Sequence, residues 1–227
     1  MSEEPGSSSG VMYSRRLPWF EPLPWIDQAD GARFGDDGLI PSDAECEALW
    51  EHYAMLDNIK AHCRKVADFA TAMARIAVAR RSRPEHFVEV TRAGGLLHDL
   101  AKTYCIRNGG SHATIGAAWV LEHTGNPRIA QTVFHHVEWP WELPDDVLTP
   151  ALLVGYADRR VRHDEYVTIE ERYVDLLERY AKNNPDRRES ISAARLRAIN
   201  LERALSAQLE LPLYACTFDC GRLVPRA

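Results

Sequence analysis

From residue 42 onward the chain repeats its apolar residues at steps of three and four, the period of an amphipathic helix. The first stripe is Cys46, Leu49, Trp50 and Tyr53, behind Ser42 and Glu45, which have capping-box spacing. A second stripe, Ile59, His62, Val66, Phe69, Ala70 and Met73, predicts a long helix from about Asp57 to Arg81. A third helix is expected to start after Pro84 and to end near Lys102. Ser111 caps a fourth that stops at Gly125, and Asn126-Pro127 opens a fifth, since proline suits the first helical position. Thr149-Pro150 opens a sixth in the same way, and Thr168 with Glu171 caps a seventh running through about Lys182. Residues 186–210 read as a charged, amphipathic eighth helix. No stretch alternates with period two, so no sheet is expected, and no internal repeat is visible. The fold class is therefore all-α, a single helical bundle.

The pattern changes before residue 42. Residues 1–10 are polar and read as disordered. Residues 11–41 hold Pro18, Pro22, Pro24 and Pro41 among Tyr13, Trp19, Phe20 and Trp25. Proline at this density excludes a regular helix, while the aromatics predict that the segment packs on the domain surface as structural cover. The expected organisation is an extension over 1–41, a main domain over 42–185, and a C-terminal helix and tail over 186–227 packed on the same domain.

Composition narrows the class further. The 227 residues, 45% hydrophobic and 26% charged, suffice for one large core without a second domain. A net charge of −6 argues against a nucleic-acid partner but leaves room for a small anionic ligand, which responds to local charge. No apolar run reaches the roughly 18 residues of a membrane span, and the start lacks a secretory leader. Five cysteines form no framework spacing. These features predict a reduced, cytoplasmic protein with no membrane partner; a homodimer is left open.

The helical stripes carry residues out of place. His112 lines up with Ile115, Gly116, Trp119 and Val120, and Asp158 with Ala151, Val154 and Val161. His136 lines up with Ile129 and Val133, whereas His135 falls with Arg128 and Gln131. A lone histidine on an apolar face is usually a hydrogen-bonded core residue. A carboxylate is harder to accommodate, because burying an unpaired charge costs several kcal/mol or more. Several helices each turning a His or Asp inward match the way bundle cores build metal sites. The run from Gly94 to Lys102 adds His98-Asp99. Neighbours on a regular helix point about 100° apart, so this doublet converges only where the helix ends or loosens. Gly94 and Gly95 allow another backbone to come close. Imidazole with carboxylate suits iron, manganese, cobalt, nickel or zinc.

His62, then His98-Asp99, then Asp158, resembles the H…HD…D signature of HD-domain (HDIG-like) metal-dependent phosphohydrolases. The strings HCRKVADFATAMA, GLLHDLAK and YADRRVRHD carry the likeness over about residues 50–180. The resemblance implies that His62, His98, Asp99 and Asp158 hold one divalent metal, with Asp99 able to bridge to a second. It implies His112, in SHATIGAAWVLEHTG, and His136, in TVFHHVEW, for that second ion. The spacing is nearest to bacterial HD hydrolases that split diadenosine tetraphosphate. In the related HD-GYP phosphodiesterases both histidines of such a pair can be ligands, which keeps His135 in reserve. The Gly-Tyr-Pro motif is replaced by HHVEWPWELP and position 58 is Asn, so cyclic-di-GMP hydrolysis is not expected.

What the resemblance implies is hydrolysis of a phosphate ester or anhydride in a small nucleotide-like substrate, with one or two divalent transition metals as cofactor. Asp99 would orient the attacking water. Lys102 would meet the phosphate, or else be a solvated helix-end cation favoured by the dipole. Arg159 and Arg162, with Arg160 between them, are candidate substrate contacts; the alternative for this run is a wet helix face. His52, His86 and His163 are expected at the surface, His123 at a helix end, and Cys216 with Cys220 as a structural or incidental pair. Two other functions share the residue set: a mixed-valence di-iron oxygenase, and a regulatory module without turnover, against which stands the complete set of four core positions.

Overall fold

The computed structural model describes residues 38–84 and 86–226; the aromatic and proline positions expected to cover the surface, Tyr13 to Trp25, lie outside them. The chain runs α1 (Asp43–His52), α2 (Asp57–Arg80), α3 (Phe87–Leu97), α4 (Lys102–Asn108), α5 (His112–Thr124), α6 (Pro127–His135) and α7 (Pro150–Arg159). A small hairpin, β1 (Val161–Arg162) and β2 (Glu165–Tyr166), precedes α8 (Ile169–Tyr180) and α9 (Pro185–Leu209). A 3-10 turn at Leu213–Ala215 leads to a second hairpin, β3 (Cys216–Asp219) and β4 (Arg222–Pro225). The class is all-α, with the two antiparallel hairpins as minor additions. Among the described residues no helix is long and apolar enough to cross a membrane.

The helix starts follow their local chemistry. Ser42 and Thr168 each close a capping box with the glutamate three residues on. Ser111, Asn126 and Thr149 accept from backbone N–H groups of the first turns of α5, α6 and α7. Gly125 closes α5 at φ 61°, a left-handed position that glycine takes without a Cβ penalty.

α2 is the shared spine of two apolar clusters. One gathers Val66, Phe69 and Met73 with Leu153, Tyr156 and Leu205, from α2, α7 and α9. The other gathers Ile59, Cys63 and Ala67 with Trp50, Leu97, Val120 and Ile129, from α1, α2, α3, α5 and α6. α3 reaches α2 because of its glycines: a Cβ on Gly95 would stand 2.6 Å from Ala67 Cα, and one on Gly94 would stand 2.4 Å from Thr132 Cγ2.

Three expectations are corrected. The third helix stops at Leu97, and residues 102–108 form a separate α4. The hairpins escaped notice because two-residue strands carry no alternation to read and β3 and β4 have only four residues each. Arg160 is not on a wet face but only 1% exposed. Its guanidinium donates to the carbonyls of Val167 (2.6 Å), Leu213 (2.7 Å) and Cys216 (2.7 Å) and to the Tyr156 hydroxyl. Cys216 and Cys220 are both free thiols, one buried and one exposed.

Candidate metal centre

Six side chains converge where the ends of several helices meet. His62 comes from α2, His112 is the first residue of α5, His136 is the C-cap of α6, and Asp158 lies in the last turn of α7. His98 and Asp99 occupy the turn between α3 and α4. That turn is tightened by i→i+3 bonds, Leu100 N–H to Leu97 O (3.0 Å) and Lys102 N–H to Asp99 O (2.9 Å). Leaving the regular helix there allows two adjacent side chains to face one point, which a straight helix forbids.

Distances divide the residues into two groups sharing one carboxylate. Asp158 Oδ1 lies 2.9 Å from His62 Nε2 and 3.8 Å from His98 Nε2. Asp99 Oδ2 closes that group, 3.4 Å from His98 Nε2 and 4.0 Å from His62 Nε2. Its other oxygen, Oδ1, faces His112 Nε2 at 3.2 Å and His136 Nε2 at 3.6 Å. Both sets, His62 with His98 and Asp158, and Asp99 with His112 and His136, are compact enough to hold a metal ion.

Backbone carbonyls aim the rings. The Nδ1 atoms of His62, His98 and His136 donate to the carbonyls of His163 (3.0 Å), Gly95 (2.8 Å) and Val133 (2.6 Å). A carbonyl can only accept, so each neutral ring keeps its proton on Nδ1 and turns the Nε2 lone pair inward. The donor set fits a cation well. His98 Nε2 and Asp99 Oδ1 are buried yet make no hydrogen bond among the described residues, although buried polar atoms are nearly always satisfied. The Nε2 atoms of His112 and His136 face each other at 3.2 Å, and that of His136 is a lone pair. A positive ion satisfies all of these atoms together.

Electrostatics agree in direction at the two carboxylates and at His112, whereas His98, although burial opposes it, is raised well above the ordinary imidazole range by Cys63 and Asp99. Burial alone would raise the Asp99 carboxyl, but His98, Lys102 and His136 hold it well below the usual carboxylate range. Burial opposes Asp158 likewise, and its contact with His62 leads the interactions that keep it low. Burial, reinforced by His136, Lys102 and His98, pushes His112 down to about 4 against the pull of Asp99. Both carboxylates are thus charged, and the His112 ring neutral, at neutral pH.

At the rim, Lys102 Nζ sits 2.6 Å from Asp99 Oδ2 with its side chain 39% exposed. Arg162 lies on β1, paired with exposed Glu165 at 3.0 Å. Arg159 points elsewhere: it donates to the carbonyls of His136 (3.0 Å), Val137 (2.7 Å) and Gly155, clamping the backbone behind His136. His135 is outside the cluster, its ring packed against Trp139 and Trp141 at centroid distances of 5.4 and 5.0 Å. The outer histidines His52, His86, His123 and His163 have exposed side chains, although the His163 carbonyl supports His62. Sequence reasoning passed over Cys63, buried beside His98 and Asp99. As a small apolar core residue it gives no signal beyond following His62.

With this geometry in place, comparison with known proteins is direct. A family model for the HD domain matches residues 59–183, more than half of the chain. The chain belongs to the HD domain family, a class of proteins that bind divalent metals and are typically metal-dependent hydrolases. It is also similar to an uncharacterized protein of Methanocaldococcus jannaschii, 28% identical over 141 residues that cover 57% of this chain and 81% of the relative. No solved structure matches at a significant level.

Proposed function

We propose that the protein hydrolyses a phosphate ester or anhydride in a small nucleotide-like substrate, at a two-metal centre formed by His62, His98, Asp99, His112, His136 and Asp158. One observation carries this reading: a buried carboxylate with an oxygen in each of two ligand groups, Oδ1 making no hydrogen bond among the described residues although two imidazoles stand within 3.6 Å. Divalent ions bound there supply Lewis acidity and a water whose pKa falls from about 15.7 towards 7. The protein's own contribution is placement. Asp99 accepts from and orients the water at the shared edge of the two groups. His98 and Asp99, 0% and 1% exposed, exclude bulk water from the floor. Lys102, His112 and Asp158 are part-exposed, at 39%, 27% and 20%, and mark the side from which substrate enters. At that entrance the Lys102 ammonium, kept charged by Asp99 and Asp158 despite partial burial, pairs with an anionic phosphoryl oxygen. Arg162 is a second such contact, since its exposed pair with Glu165 is a weak competitor. Arg159 acts as the support of His136.

The test is phosphate release by purified protein loaded with manganese, cobalt or iron. Substrates should include nucleoside monophosphates, cyclic nucleotides and dinucleoside polyphosphates. Activity is expected under anaerobic conditions and should fall to background in the double variant His98→Ala, Asp99→Ala. Turnover that strictly requires oxygen and releases no phosphate would replace hydrolysis with oxidative chemistry.

A further inference from the structure

A cavity of about 550 Å³ opens between the α6–α7 connection, α7 and α9, within the roughly 300–1,000 Å³ typical of small-ligand pockets. None of the six side chains that converge at the metal centre lines it. The partition is the backbone of residues 136–137 with Arg159 clamped across it: Gly155 lines the pocket, and a Cβ there would stand 3.4 Å from the His136 carbonyl oxygen.

Its walls differ chemically from the metal centre. One is an aromatic corner in which His135, Trp139 and Trp141 meet edge to face at centroid distances of 5.0 to 5.4 Å. The facing wall is aliphatic, with the small Ala151, Ala194 and Ala198 beside Leu152 and Leu201. Small side chains opposite large rings leave a slot instead of a packed core. The charged groups around it balance, Glu138 and Glu142 against Arg159 and Arg197, and Arg159 is already committed to carbonyls. The pocket therefore has no preference for a phosphate. Trp139 Nε1 donates to the Glu142 carbonyl at 3.3 Å, which fixes that indole. Trp141 is half-buried and makes no hydrogen bond through its indole N–H among the described residues, leaving a donor beside the slot.

We propose that this pocket is a second binding site, separate from the metal centre, for a flat, uncharged heteroaromatic ring of nucleobase type. The ring stacks in the aromatic corner, where base–aromatic contact tolerates any base. The Trp141 N–H meets a ring nitrogen or carbonyl, and the mixed rim of Glu138, Arg197 and Asn200 serves the remaining donors and acceptors.

Adenosine, which carries no phosphate, is the probe. Titration of the full chain with a metal chelator present, followed by calorimetry and tryptophan fluorescence, should show saturable binding at one site per chain with a change in emission. Ala198→Trp, which fills the slot, should weaken binding by at least about tenfold. Trp141→Ala, which removes one ring of the aromatic corner, should do the same, and it carries the test if the first variant misfolds. No saturable binding, or equal affinity in every folded variant, overturns the proposal. Because metal is removed throughout, the outcome is independent of whether the metal centre is hydrolytic.

Discussion

His98 and His136 are held alike: each ring donates from Nδ1 to the carbonyl three residues earlier, at a helix C-terminus where carbonyls lack intrahelical partners. One contact both satisfies the helix end and fixes the ring tautomer, and a carbonyl does not titrate, so the aim survives changes of pH. Lys102 is the residue whose role is most open to test. As a charge-assisted partner worth roughly 1.5–3 kcal/mol, its loss in Lys102→Ala should lower kcat/KM by about 10- to 100-fold. Lys102→Arg should recover part of this, and metal content by elemental analysis should stay unchanged. A variant that instead loses metal would make Lys102 a support of Asp99 only. These residues were legible as polar intrusions on apolar stripes. Cys63 was not, because a cysteine on such a stripe breaks no rule.

At the scale of elements, the start of each helix from α5 to α9 carries its cap or N1 proline in adjacent residues, and α8 adds the capping box of Thr168 and Glu171. The backbone and hydroxyl of Thr168 pull the Glu171 carboxyl down from 4.5 to about 2. A lowered carboxyl contributes stability that is present above its unfolded value and lost as pH falls through the folded one. Glu171→Gln should therefore be less stable than wild type at neutral pH in urea unfolding. The gap should close as pH drops from 4.5 to about 2; a gap independent of pH would rule the capping box out as its source. The approach of α3 to α2 is a separate matter. Gly95→Ala puts a methyl against Ala67 backbone and should cost about 1–3 kcal/mol in a thermal melt. No change in melting would mean that the helices move apart freely. The end of α3 at Leu97 has no glycine or proline to announce it; buried Leu100 and Ala101 draw the chain out of the helix by packing.

Across the whole molecule, Arg160 bolts distant segments together. It ties α7 to the carbonyls of Leu213 and Cys216, stands 3.5 Å from Glu202 of α9, and shares with it the Tyr156 hydroxyl. Removing one partner of a buried ion pair leaves the other uncompensated, so Arg160→Ala should lose about 3–5 kcal/mol in urea denaturation. A loss below ~1 kcal/mol would place Arg160 among the surface pairs. In sequence the residue was indistinguishable from Arg159 and Arg162, since its three carbonyl partners are at Val167 and beyond residue 210.

The amino-acid order alone determined the all-α class, the helix starts and the polar residues on apolar faces. Caps act within three or four residues, and the helical period says which side chains share a face. It could not say where α3 breaks, that Arg160 is buried, or that small residues opposite Trp139 and Trp141 leave a slot. Those outcomes depend on how far apart and at what angle helices pack, which contacts between residues distant in the chain, such as Gly95 against Ala67, decide.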